Sequence, residues 1–173
     1  MKIAFYGGQS TGMIVLLNLI AKGHNIRAVF CEDEKIEKIA EEFNLQIFPK
    51  HKLDDQELIE KLAKQIDLLL CCHGKKIFSP HLVKSIPCIN IHPCLYKYKG
   101  AKPILRLIND GVNKASVASH WMTEKVDGGK VIVEKFIRID SIKNKVEADV
   151  YNDLYPLYIE VVNATLAKIH RHA

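Results

Sequence analysis

The 173-residue chain has no apolar run near the ~20 residues that a membrane-spanning helix needs. Nothing after Met1 has the form of a secretory signal, because Lys2 leads straight into a short strand-like run broken at Gly7-Gly8. There is no internal repeat, no low-complexity tract and no linker-like stretch, so one domain over 1–173 is expected. No charge of one sign dominates: Lys and Arg number 25 against 20 Asp and Glu. The resulting +5, spread along the chain, suits small anions at least as well as nucleic acid. The five cysteines are an odd number and lack the C-x₂-C spacing of a zinc site, which points to free thiols in a soluble, reducing, cytoplasmic setting. Hydrophobic residues at 48% and charged residues at 26% exclude a disordered or collagen-like chain. A chain this long buries a core without metals or disulfides.

Apolar runs and helical stripes alternate through the first half. Lys2–Tyr6, Ile26–Cys31, Leu45–Phe48, Asp67–Cys72 and Cys88–His92 read as strands. Between them, Thr11–Lys22 reads as a helix with Ile14, Leu17 and Ala21 inward. A second helix follows Asp33 as N-cap, with Ile36, Ile39, Ala40 and Phe43 at helical spacing. A third is capped by Asp54 with Glu57 three residues on, and buries Leu58, Leu62 and Ile66. Ser79-Pro80 starts a short fourth. Strand alternating with helix implies an α/β fold, an open and mostly parallel sheet with helices on both faces. After Pro93 a helix near Ala101–Asn109 leads to strands Val117–Thr123 and Lys130–Ile139 around the turn Asp127-Gly128-Gly129. A long helix from Val146 to Ile169 closes the chain, with Pro156 as a kink or break and His170-Arg171-His172 as a frayed end.

Two constellations carry chemistry. The first strand-to-helix turn, Gly7-Gly8-Gln9-Ser10-Thr11-Gly12, is neither G-x-G-x-x-G nor a P-loop, since Met13 stands where Lys is needed. Gly8, Gln9, Ser10 and Thr11 either hold an anion at the helix N-terminus or form a tight turn for steric reasons alone. In the second, Asn90 and His92 sit two apart on a strand and so share a face. They stand at the C-terminal strand end where open α/β sheets bind ligands. With Asp127 from a glycine-flanked turn they supply an amide donor, an imidazole and a carboxylate, a set suited to acyl transfer. A buried His held by an Asp for structural reasons has the same spacing. Cys94, two after His92, raises a Cys/His nucleophile, and Cys72, His73, His92 and Cys94 raise a zinc site, both without a strong spacing signal. Vicinal Cys71-Cys72 in an apolar strand reads as core.

The segments Cys88-Ile89-Asn90-Ile91-His92-Pro93-Cys94-Leu95, Gly100-Ala101-Lys102-Pro103-Ile104 and Val126-Asp127-Gly128-Gly129-Lys130-Val131-Ile132 resemble the folate-dependent formyltransferases, marked by N-x-H-x-S-L and then D-x-G-x-I. Leu70–Pro80 resembles the strand and loop before N-x-H in that family, and the likeness extends over roughly 1–159. The D-G-G of Met122–Ile132 and the segment Tyr151–Ile159 are nearest to the branch acting on glycinamide ribonucleotide. The resemblance implies a Rossmann-like formyltransferase fold and 10-formyltetrahydrofolate as formyl donor. It also implies a small, phosphate-bearing amine as acceptor, with glycinamide ribonucleotide first and a nucleotide-linked amino sugar second. Asn90, His92 and Asp127 become the catalytic residues by this likeness. Lys76, Ile77 and Phe78 match the segment covering the folate, and Met122, Thr123 and Val126 match the loop around its pterin. From the residues alone Ile77, Phe78, Met122 and Val126 could equally be core. His120 aligns with a histidine common in the family, so either it or Trp121 faces the site.

The sequence departs from that pattern at several places. Cys94 replaces the usual Ser, Tyr96-Lys97 replaces Leu-Pro, and Thr11 stands where the glycine loop usually has Asn. Ala148 and Tyr151 sit where the glycinamide enzymes carry polar groups for their ribonucleotide. The extra C-terminal domain of the tRNA-formylating relatives is not expected here and no strong basic patch stands out, so a nucleic-acid partner is not expected. Hydrolysis of the formyl donor and a non-catalytic folate- or nucleotide-binding module are the competing readings of the same constellation.

Overall fold

Leu68–Cys72 (β4) is buried at every position because it stands at the centre of a seven-stranded sheet and is covered on both faces. The computed structural model describes residues 1–171; His172 of the expected frayed tail lies outside them. In chain order β4 is preceded by β1 (Lys2–Gly7), β2 (Asn25–Cys31) and β3 (Ile47–Pro49) and followed by β5 (Cys88–Pro93), β6 (Lys114–Trp121) and β7 (Val131–Arg138). The sheet order is β3-β2-β1-β4-β5-β6-β7. β1 to β5 run parallel, and β6 and β7 turn antiparallel. The expected α/β architecture is therefore present.

The helices are α1 (Gln9–Ala21), α2 (Glu34–Glu42), α3 (Gln56–Ala63), α4 (Pro80–Ser85), α5 (Pro103–Asp110) and α6 (Glu147–His170). Side chains alternate along each strand into two separate cores. Ile3, Phe5, Leu68, Leu70 and Cys72 join Leu16, Leu19, Leu107 and Val161 on one face. Ala4, Tyr6, Leu69 and Cys71 join Ile59, Leu62 and Leu82 on the other. Emptying one of these positions, as in Leu70→Ala, costs about 2–5 kcal/mol. Ser119 and Thr165, both fully buried, meet at 2.6 Å and tie β6 to α6, and Thr165 also donates to the Val161 carbonyl.

Several local expectations are corrected. The inward stripe of α1 is Thr11, Gly12, Val15, Leu16 and Leu19, not Ile14, Leu17 and Ala21. That helix is apolar nearly all round, so periodicity could not select its buried face. α3 is capped by Asp55, whose carboxylate accepts from the Leu58 N–H, because Asp54 closes a short 3₁₀ turn over Lys50–Asp54. Ile59 takes the inward place expected of Leu58. β3 starts at Ile47 rather than Leu45 and includes Pro49, which an edge strand tolerates. β6 begins earlier than expected and ends at Trp121. α6 runs unbroken through Pro156, which lies on its solvent face where water meets the carbonyl freed by the missing N–H. Asp33 does cap α2, accepting from the Lys35 and Ile36 N–H groups.

Candidate active site

The C-terminal ends of β1, β4 and β5 open together into a cleft of about 740 Å³. Asn90 and His92 reach it from one face of β5. Pairing of β5 with β6 sets His120 opposite Asn90, and the loop after β6 returns Asp127 over both. Two backbone features shape that return. Asp127 takes a left-handed conformation at φ 49°, which Asp tolerates through its short polar side chain. At Gly129 a Cβ would stand 1.7 Å from the Trp121 carbonyl oxygen, so only glycine lets the loop pass.

Asp127 is 8% exposed, and four nitrogen atoms surround its carboxylate. Its Oδ2 accepts from the Gly100 N–H at 2.7 Å and from His92 Nε2 at 3.1 Å. Its Oδ1 lies 3.4 Å from His120 Nε2 and 3.5 Å from Asn90 Nδ2. Burial pushes its pKa up, but hydrogen bonds from His120 and His92 and the N–H of Gly100 outweigh it and hold the carboxyl well below the usual carboxylate range. His92 meets only acceptors: the Pro93 carbonyl lies 2.8 Å from Nδ1, and the Gly100 carbonyl 3.2 Å from Nε2 beside Asp127. Both ring nitrogens thus face acceptors. An amide donor, an imidazole and a carboxylate thus converge at one wall of the cleft. Such a set stabilises negative charge developing on an oxygen and accepts a proton nearby.

All six positions matched to a folate site line the same cleft: Lys76, Ile77, Phe78, Met122, Thr123 and Val126. Ile77 is 73% exposed and Val126 54%, so neither is core. Phe78 is buried against the Tyr6 ring, at 5.8 Å between centroids, while also bordering the cleft. The Lys76 ammonium pairs with Asp54, and its backbone N–H donates to the Tyr6 hydroxyl at 3.0 Å. That hydroxyl in turn donates to Glu32, which Lys50 also holds. Gly74 lies flat on Tyr6, where a Cβ would come within 2.1 Å of the ring.

Of the glycine-loop residues, Gln9 lines the cleft, and Gly8, Ser10 and Thr11 do not. The Gly8 N–H is taken by the Cys72 carbonyl, and the Gln9 N–H by the Asp33 carboxylate at 2.6 Å. Ser10 Oγ accepts from Lys35 Nζ at 3.3 Å, and Thr11 is buried at 2% exposure. Asp33 therefore caps α1 as well as α2, and a resident carboxylate sits where a bound anion was one of the two expectations.

His120 faces the site, while Trp121 packs against the α6-side core. Cys94 is fully buried, does not line the cleft, and burial pushes its thiol up to about 11, so it makes no pair with His92. Among the described residues no group of three His, Cys, Asp or Glu side chains is placed to hold a metal ion. Nor is any helix among them long and apolar enough to cross a membrane.

Sequence reasoning weighed His73 only as a zinc ligand and missed its place in the site. It follows β4 in a left-handed conformation at φ 57°, with Nδ1 3.1 Å from Gln9 Oε1 and Nε2 3.1 Å from the Tyr158 hydroxyl. Its ring meets Tyr151 edge-on at 5.2 Å. Burial, with the charge of His92 second, lowers its pKa to about 4. The available signal was position, since His73 is the first residue past a fully buried strand at the ligand-binding edge.

Comparison with known proteins adds to this geometry. The sequence model of a family described as formyl transferase matches residues 1–157. A methionyl-tRNA formyltransferase of Campylobacter lari is 31% identical over 147 residues, covering 75% of this chain and 48% of the relative. The chain spans about half to three fifths of the length of the curated relatives it matches. A phosphoribosylglycinamide formyltransferase from Streptococcus pneumoniae superposes with a TM-score of 0.74 at 26% identity, covering 95% of this chain and 98% of that one. The corresponding protein from Bacillus halodurans superposes with a TM-score of 0.83 at 17% identity, covering 98% and 95%, and so shares the fold.

Proposed function

Because the chain belongs to the formyl transferase family, we propose that it transfers the formyl group of 10-formyltetrahydrofolate to the amine of a small, phosphate-bearing acceptor, glycinamide ribonucleotide first among candidates. The observation that carries the proposal is the 3.1 Å contact of His92 with Asp127, with Asn90 within 3.5 Å of the same carboxylate, at the wall of a cleft large enough for two substrates. The residues present fit the folate: Ile77 and Val126 expose aliphatic surface to the cleft beside Met122 and Phe78, and Lys76 supplies a cation at its edge. When bound, the folate would supply the formyl carbon for the amine to attack; the bond from that carbon to the folate's N10 would break, and the amine's proton would end on that nitrogen, giving tetrahydrofolate. Asn90 Nδ2 would donate to the formyl oxygen as it gains negative charge, and the His92 ring would stabilise the same charge. Asp127 orients His92 and relays the proton that leaves the amine. Tetrahydrofolate formation that depends on added glycinamide ribonucleotide is the expected result. Formate release without any amine would place the chain with hydrolysis instead.

A second reading has its own observation, the 31% identity to a methionyl-tRNA formyltransferase. On that reading the acceptor is methionyl-tRNA and the chain has a nucleic-acid partner. Formylation assayed with methionyl-tRNA beside glycinamide ribonucleotide separates the two.

A further inference from the structure

The cleft has two unlike ends. Ile77, Phe78, Met122 and Val126 make one of them apolar, suited to a flat ring system. The other end is polar and includes Gln9, His73, Tyr151 and Glu147, from α1, the turn after β4 and α6. Within it three side chains form a chain of hydrogen bonds with one consistent direction. Tyr158 is fully buried, and its hydroxyl has His73 Nε2 as its partner at 3.1 Å. On the other side of the ring, Nδ1 lies 3.1 Å from the carbonyl oxygen of the Gln9 side chain. A neutral imidazole has one donor and one acceptor, so Nε2 accepts from Tyr158 and Nδ1–H donates to Gln9. Gln9 then has its oxygen turned toward His73, and its NH₂ has no hydrogen-bond partner among the described residues. Both Gln9 and His73 hold left-handed backbones, at φ 58° and 57°, a conformation that costs free energy for residues other than glycine and recurs where function needs it.

We propose that Tyr158 and His73 are positioning residues that hold the Gln9 side chain as a hydrogen-bond donor to an oxygen of the acceptor substrate. This rests on the formyl-transfer reading and deepens it: the acceptor presents an oxygen, not an N–H, to the polar end of the cleft. A histidine kept neutral by burial suits the part, because a charged ring would have no acceptor left for Tyr158.

Two measurements on the full-length chain test the proposal. In a ¹⁵N-histidine-labelled protein at pH 7, with His73 assigned by its loss in His73→Asn, the ring is expected as the neutral Nδ1–H tautomer. Tyr158→Phe is expected to mix the tautomers. An Nε2–H tautomer or an imidazolium in the wild type overturns the proposal. In steady-state assays with 10-formyltetrahydrofolate and glycinamide ribonucleotide, Gln9→Glu replaces the donor with an acceptor. It is expected to raise the KM for glycinamide ribonucleotide about tenfold while leaving the donor KM unchanged. His73→Asn tolerates the left-handed backbone and keeps an amide N–H near the Nδ1 position. It is expected to retain most of the acceptor affinity that His73→Ala loses. An unchanged acceptor KM in Gln9→Glu, or a rise in the donor KM instead, overturns the proposal. Absence of turnover by the wild type overturns the formyl-transfer reading to this acceptor, and is told apart by the tautomer spectrum, which it leaves as expected.

Discussion

Replacing Asp127 with Asn changes one atom and one charge at the centre of the site. The side chain keeps its shape, and Asn tolerates the left-handed backbone at φ 49°, so the loop has no steric reason to move. The half-buried Gly100 N–H at 2.7 Å needs an acceptor and fixes which end of the amide is oxygen. The new NH₂ then points at Asn90 Nδ2, 3.5 Å away, and a donor faces a donor where an acceptor stood. His92 Nε2 keeps one neutral oxygen in place of a carboxylate. Losing the stabilisation of one preorganised group at a developing oxyanion costs about 3–4 kcal/mol, or 10²–10³ in rate. The assay is tetrahydrofolate formation from 10-formyltetrahydrofolate, with and without the amine, beside a binding measurement for the folate. The expected outcome is a fall of at least 100-fold in amine-dependent turnover, with folate affinity changed little. An Asn variant that keeps more than a tenth of wild-type turnover would refute the role given to the carboxylate.

Asn90→Ala and His92→Ala are each expected to be similarly severe in that assay, and the double variant little worse than either, because the groups act as a unit. The lowered pKa of Asp127 makes an acid prediction: its stabilisation is fully present above the unfolded value of about 3.9 and is lost as pH falls through the lower folded value. In denaturant titrations the stability gap between wild type and Asp127→Asn is therefore expected to be flat above about pH 5 and to shrink below about pH 4. His73, with a folded pKa of about 4 against about 6.5 unfolded, contributes stability present above pH 6.5 and lost as pH falls toward 4, so His73→Asn is expected to flatten that limb. Gly74→Ala drives a methyl into the Tyr6 ring and is expected to cost about 1–3 kcal/mol in urea melts, with a raised KM for the folate because Lys76 hangs on the same tyrosine.

The sheet was readable because its signals are long and redundant. Leu68–Cys72 has no polar residue, so it reads as a strand covered on both faces, and Asp33 or Ser79 before a helical stripe reads as a cap. Reading failed where two residues compete for one role, as with Asp54 and Asp55, or where a helix such as α1 has apolar side chains on every face. The convergence of Asn90, His92 and Asp127 was legible from strand alternation and a glycine-flanked turn. His73 was not, because its role comes from a left-handed turn and from contacts with Gln9 and Tyr158, far away in sequence. The carboxylate seated on the Gln9 N–H was hidden likewise, since Asp33 had a complete explanation as the cap of α2.

The reversal of strand direction after β5 has a consequence for how the protein comes to be active. The parallel strands β1 to β5, with their crossover helices, carry Gln9, His73, Asn90 and His92, and all of these precede Asp127 on the ribosome. Asp127 reaches them once β6 has paired along β5 and the Gly128-Gly129 bend has closed. Until then His92 and Asn90 stand at the rim of a partly built sheet without the carboxylate that organises them. Assembly of the site therefore waits on the antiparallel strands, which act as the latch that brings the carboxylate to it.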